Sequence, residues 1–301
     1  MDWFCHPAYT LPKKRVIERF YDRVYDFRRR RVHQLIFLCG GAQSPTRQRV
    51  LEYIEKKHAD KMVFYADDVW AHISGREALN ALQMEDKLGQ LSDAVIILVE
   101  SPGTFAELGA FSLSDELRRK LLPIIDKQFE SELSFINSGP IRWVNQDSSF
   151  KPAVYADFHE ILTVAPQIDD RLKRIPRPHL KNISDIANKP RYLLFLLLDL
   201  LSVITPAPEN HIDYYLQQII RKKPAWPTID LLALGIALKL IRHFRVNGII
   251  YYCRASKSEP WKSFLHKNMF SIEEERTIFL STLDTIPAAR CIIEQMRSHN
   301  V

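Results

Sequence analysis

The stretch Leu91-Ser-Asp-Ala-Val-Ile-Ile-Leu-Val-Glu-Ser-Pro-Gly-Thr-Phe-Ala-Glu-Leu-Gly-Ala-Phe111 changes its pattern twice. Ala94 to Val99 is an unbroken apolar run rich in β-branched residues, which predicts a buried central strand. Glu100-Ser101-Pro102-Gly103 is turn chemistry. Thr104 is expected to cap a new helix, with Glu107 three residues later in the position that closes a capping box. Strand, tight turn and helix place Ser101 to Thr104 at the carboxyl end of a strand, where open α/β sheets bind ligands. Backbone N–H groups at the helix start would face an anion there, with Glu107 one turn inside the rim.

Working outward, Val32 to Cys39 reads as a first strand ending at Gly40-Gly41. The full Gly-x-Gly-x-x-Gly pattern is absent, so no ordinary dinucleotide fingerprint is present. Pro45 to Lys57 predicts a helix capped by Ser44. Met62 to Tyr65 is a short strand ending in Ala66-Asp67-Asp68. Those two acids can bind ribose hydroxyls or assist catalysis, and can equally cap the next helix. Ala78 to Gln90 reads as a helix, Leu121 to Ile125 as a buried strand and Ser134 to Pro140 as a loop. Alternating strands and helices predict a doubly wound α/β domain with a parallel sheet over residues 32–165.

The rest of the chain reads differently. Val16, Phe20, Val24 and Phe27 recur at helical spacing, so residues 1–31 are expected to carry a basic amphipathic helix. Between Lys13 and Arg31 there are nine basic residues, Arg28, Arg29 and Arg30 among them, against three acidic ones. Residues 166–190, with four prolines and several arginines and lysines, read as a basic linker. Over residues 191–265, three helices (Arg191 to Ile204, Asn210 to Arg221, Thr228 to Phe244) precede a strand at Ile249 to Cys253. With Lys239, Arg242, Arg245 and Arg254 beside it, this mainly helical part fits a winged helix-turn-helix, and a generic helical bundle nearly as well. Residues 266–301 read as a helical tail.

Composition narrows the classes. Of 301 residues, 46% are hydrophobic and 26% charged, as in globular proteins, and the net charge of +6 is clustered. Two basic clusters suggest a polyanionic partner, nucleic acid ahead of membrane; a solvated surface is the bland alternative. Cys5, Cys39, Cys253 and Cys291 are scattered, which argues against zinc and disulfides and fits a reducing cytoplasm. The histidines are not spaced as metal ligands. Tyr192 to Ile204 is very apolar but, at 13 residues with Asp199 inside, suits a buried helix rather than a membrane span of about 20 residues.

Glu107, the Asp67/Asp68 pair and Ser101/Thr104 could converge at strand ends. Cleaving an N-glycosidic bond needs a carboxylate that meets positive charge at the anomeric carbon, as nucleophile or electrostatic stabiliser. From the residues alone, the capping-box role for Glu107 is the stronger reading.

Resemblance shifts that balance. Ser92 to Leu98 followed by Glu100 to Phe111 resembles the core of nucleoside deoxyribosyltransferase-like proteins, and most of all the effectors of type II retrons. Ile36-Phe37-Leu38-Cys39-Gly40-Gly41, the Leu117 to Leu121 run and the Ser134 to Pro140 loop resemble the same effectors in the same order. The resemblance implies a catalytic Glu107 and a sugar-orienting Asp68. The pocket it implies draws on Gly40, Gly41, Asp67, Glu100, Ser101, Gly103 and Thr104, with Asn137 for a neighbouring subunit's pocket in a homo-oligomer. Ala66 and Asp67 stand where such relatives carry Pro and Glu. It further implies a toxic effector that hydrolyses NAD, its substrate, with no cofactor and no membrane. A reverse transcriptase and its msDNA, an RNA–DNA hybrid molecule, would hold it in check and meet the basic residues named above. Two alternatives stay open: a nucleoside or nucleotide deoxyribosyltransferase or N-glycosidase, and a DNA-binding regulator with a nucleotide-sensing α/β domain. Gly103-Thr104-x-x-Glu107 also resembles phosphoribohydrolases of the cytokinin-activating type, but their preceding Pro-Gly-Gly is absent.

Overall fold

The computed structural model describes residues 3–21, 33–73, 80–176, 183–255 and 272–298. They form two compact units. One lies within residues 31–178; the other joins the N-terminal residues, with helix α1 (Thr10–Tyr21), to the residues from 179 onward.

The first unit alternates strands and helices. In order they are β1 (Gln34–Cys39), α2 (Pro45–Lys57), β2 (Lys61–Phe64), α3 (Ala66–Ile73), α4 (Ala81–Leu91), β3 (Ala94–Val99), α5 (Pro102–Leu113), α6 (Asp115–Arg118), β4 (Leu121–Asp126), α7 (Arg142–Asp147), β5 (Val154–Ala156) and α8 (Ala165–Leu172). The strands make one parallel sheet in the order β2-β1-β3-β4-β5. β1 and β3 are neighbours paired from Ile36 with Ala94 to Cys39 with Ile97, and they flank the point where the strand order reverses. Carboxyl ends diverge there and leave a crevice.

The strands are largely apolar because both faces are covered. Ile36, Leu38, Ile96, Leu98 and Ile124 pack with Val50 and Ile54 of α2 and Ile168 and Leu172 of α8. On the other face Phe37 stacks on Phe64 at 5.4 Å and meets Phe111 of α5 at 6.4 Å. A polar tie also holds α2 and α8. Asp169 accepts from the Tyr53 hydroxyl at 2.9 Å, pairs with Lys57 and bonds to His58, which hold its carboxyl down at about 2 against the effect of burial.

Residues 166–172, expected in the linker, are therefore part of this unit. Pro166 opens α8 instead of breaking the pattern, since its missing N–H costs nothing in a first helical turn. The Ser134 to Pro140 stretch, expected as a loop, is a wide helical turn. Ser134 carries it by accepting from Asn137 N–H at its hydroxyl and from Ser138 N–H at its carbonyl.

In the second unit, α9 (Pro190–Ile204) is buried on every side, as its apolar run predicts. Among the described residues no helix is long and apolar enough to cross a membrane. After α9 come β6 (Ala207–Pro208), α10 (Glu209–Ile220), α11 (Thr228–Ala237), β7 (Ile241–Val246), β8 (Ile249–Arg254), α12 (Ile272–Asp284) and α13 (Pro287–Ser298). The sheet is antiparallel, in the order β6-β8-β7. Thr228 to Phe244, expected as one helix, is thus a helix and a strand. Lys239 adopts φ +58 and turns the chain, and Gly235 lets Ile241 return onto the helix, for a Cβ there would lie 2.4 Å from Ile241 Cδ1.

α1 packs on this unit through Val16 and Phe20. Tyr9 and Tyr215 share a hydroxyl hydrogen bond of 2.7 Å, and Lys13 sits 3.8 Å over the Phe4 ring. Arg15 makes a two-pronged bond to Glu275 at 2.8 Å, joined by Arg19 at 3.3 Å. Several basic residues of this helix are thus used inside the unit. Arg28, Arg29 and Arg30 lie outside the described residues.

Candidate active site

Helix α5 starts at Pro102, not after Thr104. Ser101 is its N-cap, and Thr104 closes the capping box. The buried Thr104 hydroxyl accepts from the N–H groups of Glu100 and Ser101 at 3.0 and 2.9 Å, and donates to the Ser101 carbonyl at 2.9 Å. Glu107 lies a full turn beyond the cap and plays no part in it. Its Oε2 is buried and has no hydrogen-bond partner. A buried, unsatisfied carboxylate oxygen is costly and rare, and in a cleft it marks a functional candidate.

A cavity of about 230 Å³ opens at the carboxyl ends of β1 and β3. Gly40, Gly41, Ser101, Gly103, Thr104 and Glu107 line it, with Asp67, Arg47 and Glu85. Glu100 does not line it; its Oε1 accepts from the Gly41 N–H at 3.0 Å, tying the β1 loop to the end of β3. Asp68 lines a neighbouring cavity instead. Asn137 donates to the carbonyls of Phe129 and Glu132 and accepts from the Tyr155 hydroxyl, so here it pins its own turn.

Two residues of the cavity escaped the sequence reading. Arg47, on the first turn of α2, is buried beneath the β1 loop. It donates to the Ala42 carbonyl at 2.7 Å and to Asp67 Oδ2 at 3.2 and 3.3 Å, and its guanidinium lies 4.2 Å over the Tyr65 ring. Gly40 leaves room for it, because a Cβ there would sit 3.0 Å from Arg47 Cδ. Glu85 comes from α4, whose Met84 and Leu88 face the core while Glu85 turns toward the cavity. Its signal was an acid inside an apolar helix face, which reads as a surface residue until α4 is laid across the strand ends.

Electrostatics set the acids apart. Burial, then the charge of Asp67, pushes the Glu107 carboxyl above the ordinary range, and Arg47 pulls it back. Glu85 is pushed up to about 7 by burial, by Glu107 and by Asp67. Negative charge on Glu107 opposes ionisation of Glu85. The Cys39 thiol is raised well above its usual range by burial, so it is no nucleophile. The cavity thus offers two carboxyl groups raised above the ordinary range, Glu107 and Glu85, the latter to about 7, and an Arg–Asp pair. Among the described residues no cluster of three metal-ligating side chains occurs.

In the second unit Lys239 is exposed in the turn between α11 and β7, Arg245 is exposed on β7 and Arg242 is half-buried. Arg254 points inward and donates to Ser202 Oγ at 2.7 Å.

Comparison with known proteins bears on this arrangement. The family model described as STM3845 retron effector protein matches residues 43–246, more than half of the chain. The Escherichia coli protein named "Retron Ec86 putative ribosyltransferase/DNA-binding protein" is 40% identical over 117 residues, covering 38% of this chain and 38% of that protein. Its namesake from retron Ec73, also from Escherichia coli, is 38% identical over 125 residues, covering 39% of this chain and 40% of that protein. The match spans about two fifths of the length of these relatives.

Proposed function

Because the chain belongs to the STM3845 retron effector protein family, we propose that it is the toxic effector of a retron defence system, an N-glycosidase that cleaves the nicotinamide–ribose bond of NAD. The observation that carries this reading is Glu107 Oε2, buried and unpartnered in a cavity at the strand ends. Nicotinamide in NAD is a pyridinium. The electrons of the breaking C1′–N bond neutralise the ring nitrogen, so the base leaves without a proton. Positive charge grows on C1′ instead, where an ionised Glu107 stabilises it or bonds to it covalently. Water then takes up the ribosyl group and releases a proton. Asp67 holds Arg47 at the cavity wall, and the Gly103 N–H at the start of α5 is placed for a 5′-phosphate.

The C-terminal unit serves as the control element. Its order of helix, strand, two helices and hairpin, with β6 beside β8, supports a winged-helix reading. The names of the Ec86 and Ec73 relatives, which include DNA binding, agree with that use. The partner we infer is the reverse transcriptase with its msDNA, engaged through phosphates.

A second reading is favoured by Glu85. Uncharged bases of nucleosides leave only with a proton, and a carboxyl that titrates at about 7 can supply it. A nucleoside or nucleotide N-glycosidase or deoxyribosyltransferase would then use Glu85 as acid and Glu107 as nucleophile.

The test is the NAD level in cells that express the chain without its retron partners, as wild type or Glu107→Gln, matched for expression and folding. Loss of NAD and toxicity with wild type alone is expected. Unchanged NAD in both would sink the NADase reading, and cleavage of purine or pyrimidine nucleosides that is lost with Glu85→Gln would establish the second.

A further inference from the structure

We propose that the cavity next to the Glu107 chamber is a subsite for the distal nucleoside of a dinucleotide substrate, with Asp68 accepting hydrogen bonds from its ribose hydroxyls. This rests on the glycosidase reading above and names how the substrate beyond the cleaved bond is held.

Size gives the first argument. The Glu107 chamber, at about 230 Å³, falls below the roughly 300–1,000 Å³ of typical small-molecule sites. The second cavity adds about 390 Å³, and the two share Ala42, Arg47 and Asp67 as a common wall. A ligand cleaved beside Glu107 therefore reaches the second cavity by crossing that wall.

Chemistry gives the second. The two adjacent acids have different tasks. Asp67 is paired with Arg47 across the wall. Asp68 lines the second cavity and makes no hydrogen bond or ion pair among the described residues. The Tyr65 hydroxyl, on a residue lining the same cavity, is buried without a hydrogen-bond partner. With Asp67 and Asp68 against Arg47, the cavity is net negative and favours hydroxyl and amide donors over phosphate. The diphosphate belongs on the wall itself. There the buried Arg47 guanidinium has an exposed Asp67 as its ion-pair partner, and phosphate oxygens compete well for a guanidinium. A carboxylate that receives ribose hydroxyls also repels a 2′-phosphate. The subsite should therefore accept a distal ribose and reject its 2′-phosphorylated form.

Calorimetric titration of the full chain, as Glu107→Gln to stop turnover, tests this with AMP, its 2′-phosphorylated form and nicotinamide mononucleotide as probes. Expected are AMP binding at least about tenfold tighter than that of the 2′-phosphorylated form, and a loss of about tenfold in AMP affinity on adding Asp68→Ala. Asp68→Asn keeps a polar residue in the first turn of α3 and serves if the alanine variant unfolds. Equal weakening of mononucleotide and AMP would place Asp68 at the reaction centre and overturn the proposal, as would equal binding of the two AMP forms. NAD cleavage by wild type is followed in parallel. Asp68-dependent AMP binding without NAD cleavage would fell the glycosidase reading and keep the subsite; NAD cleavage with AMP binding indifferent to Asp68 would do the reverse.

Discussion

Glu85 shows how one side chain links stability to function. Its carboxyl titrates near 4.5 in an unfolded chain and at about 7 in the folded one. The folded state therefore binds this proton more tightly, and stability falls as pH rises from about 4.5 through 7. Glu85→Gln removes that penalty. We expect it to raise the melting temperature by a few degrees at pH 8 and by clearly less at pH 5, read by scanning calorimetry. An equal shift at both pH values would mean that neither burial nor the neighbouring acids raise the Glu85 carboxyl. The sign also fits the proposed chemistry, since a site that keeps two carboxyls together under burial is destabilised when both are ionised.

At the scale of the element, the β3–α5 junction decides where Glu107 stands. Sequence spacing suggested that Thr104 caps the helix and Glu107 closes the box. In the fold Ser101 is the cap, because the turn after β3 brings its side chain over the Thr104 N–H at 3.4 Å. Thr104 does the heavier work, accepting from two backbone N–H groups at the strand end. Thr104→Val keeps the shape and removes the one oxygen that accepts from both N–H groups, at about 1–3 kcal/mol for each donor left unsatisfied. Ser101→Ala loses one long cap bond, worth about 1 kcal/mol. Urea unfolding should show the larger loss for Thr104→Val; the reverse order would mean that water replaces the threonine. Helical periodicity could not see this, for a capping box and its neighbour one turn on share a residue pattern and differ in which turn the chain enters first.

Across the whole molecule, charge is the property that the sequence shows most plainly and distributes least plainly. Lys13, Arg15, Arg19 and Arg254 all have partners within their own unit. Lys239 and Arg245 of the β7–β8 region are exposed. In the winged-helix reading proposed above α11 takes the place of the base-reading helix, and it has no Lys, Arg, Asn or Gln from Thr228 to Ala237. Base-edge readout relies on such side chains, so binding through this unit should follow phosphates and shape. Single-stranded DNAs of equal length and unrelated sequence should bind within about twofold of one another, and affinity should fall with salt. Arg245→Ala should lower the slope of log K against log salt by about 0.7, one phosphate's share on a single strand. An unchanged slope in fluorescence anisotropy titrations would show that Arg245 meets no phosphate.

The sequence by itself determined the doubly wound α/β layout, the buried strand from Ala94 to Val99 and the Ser44 cap of α2. Those features rest on local hydrophobic period and turn chemistry, which neighbouring residues specify. Tertiary structure alone decided that Arg47 and Glu85 share the cavity with Glu107, that Asp67 and Asp68 part company, and that the chain from Ile241 to Val246 is a strand. Each of these depends on contacts between residues far apart in the chain: α4 laid against the strand ends, a guanidinium threaded under a glycine loop, and a hairpin seated on α11 through Gly235. Periodicity carries no record of such pairings, because the free energy that selects them is gained only once the sheet and its helices have met.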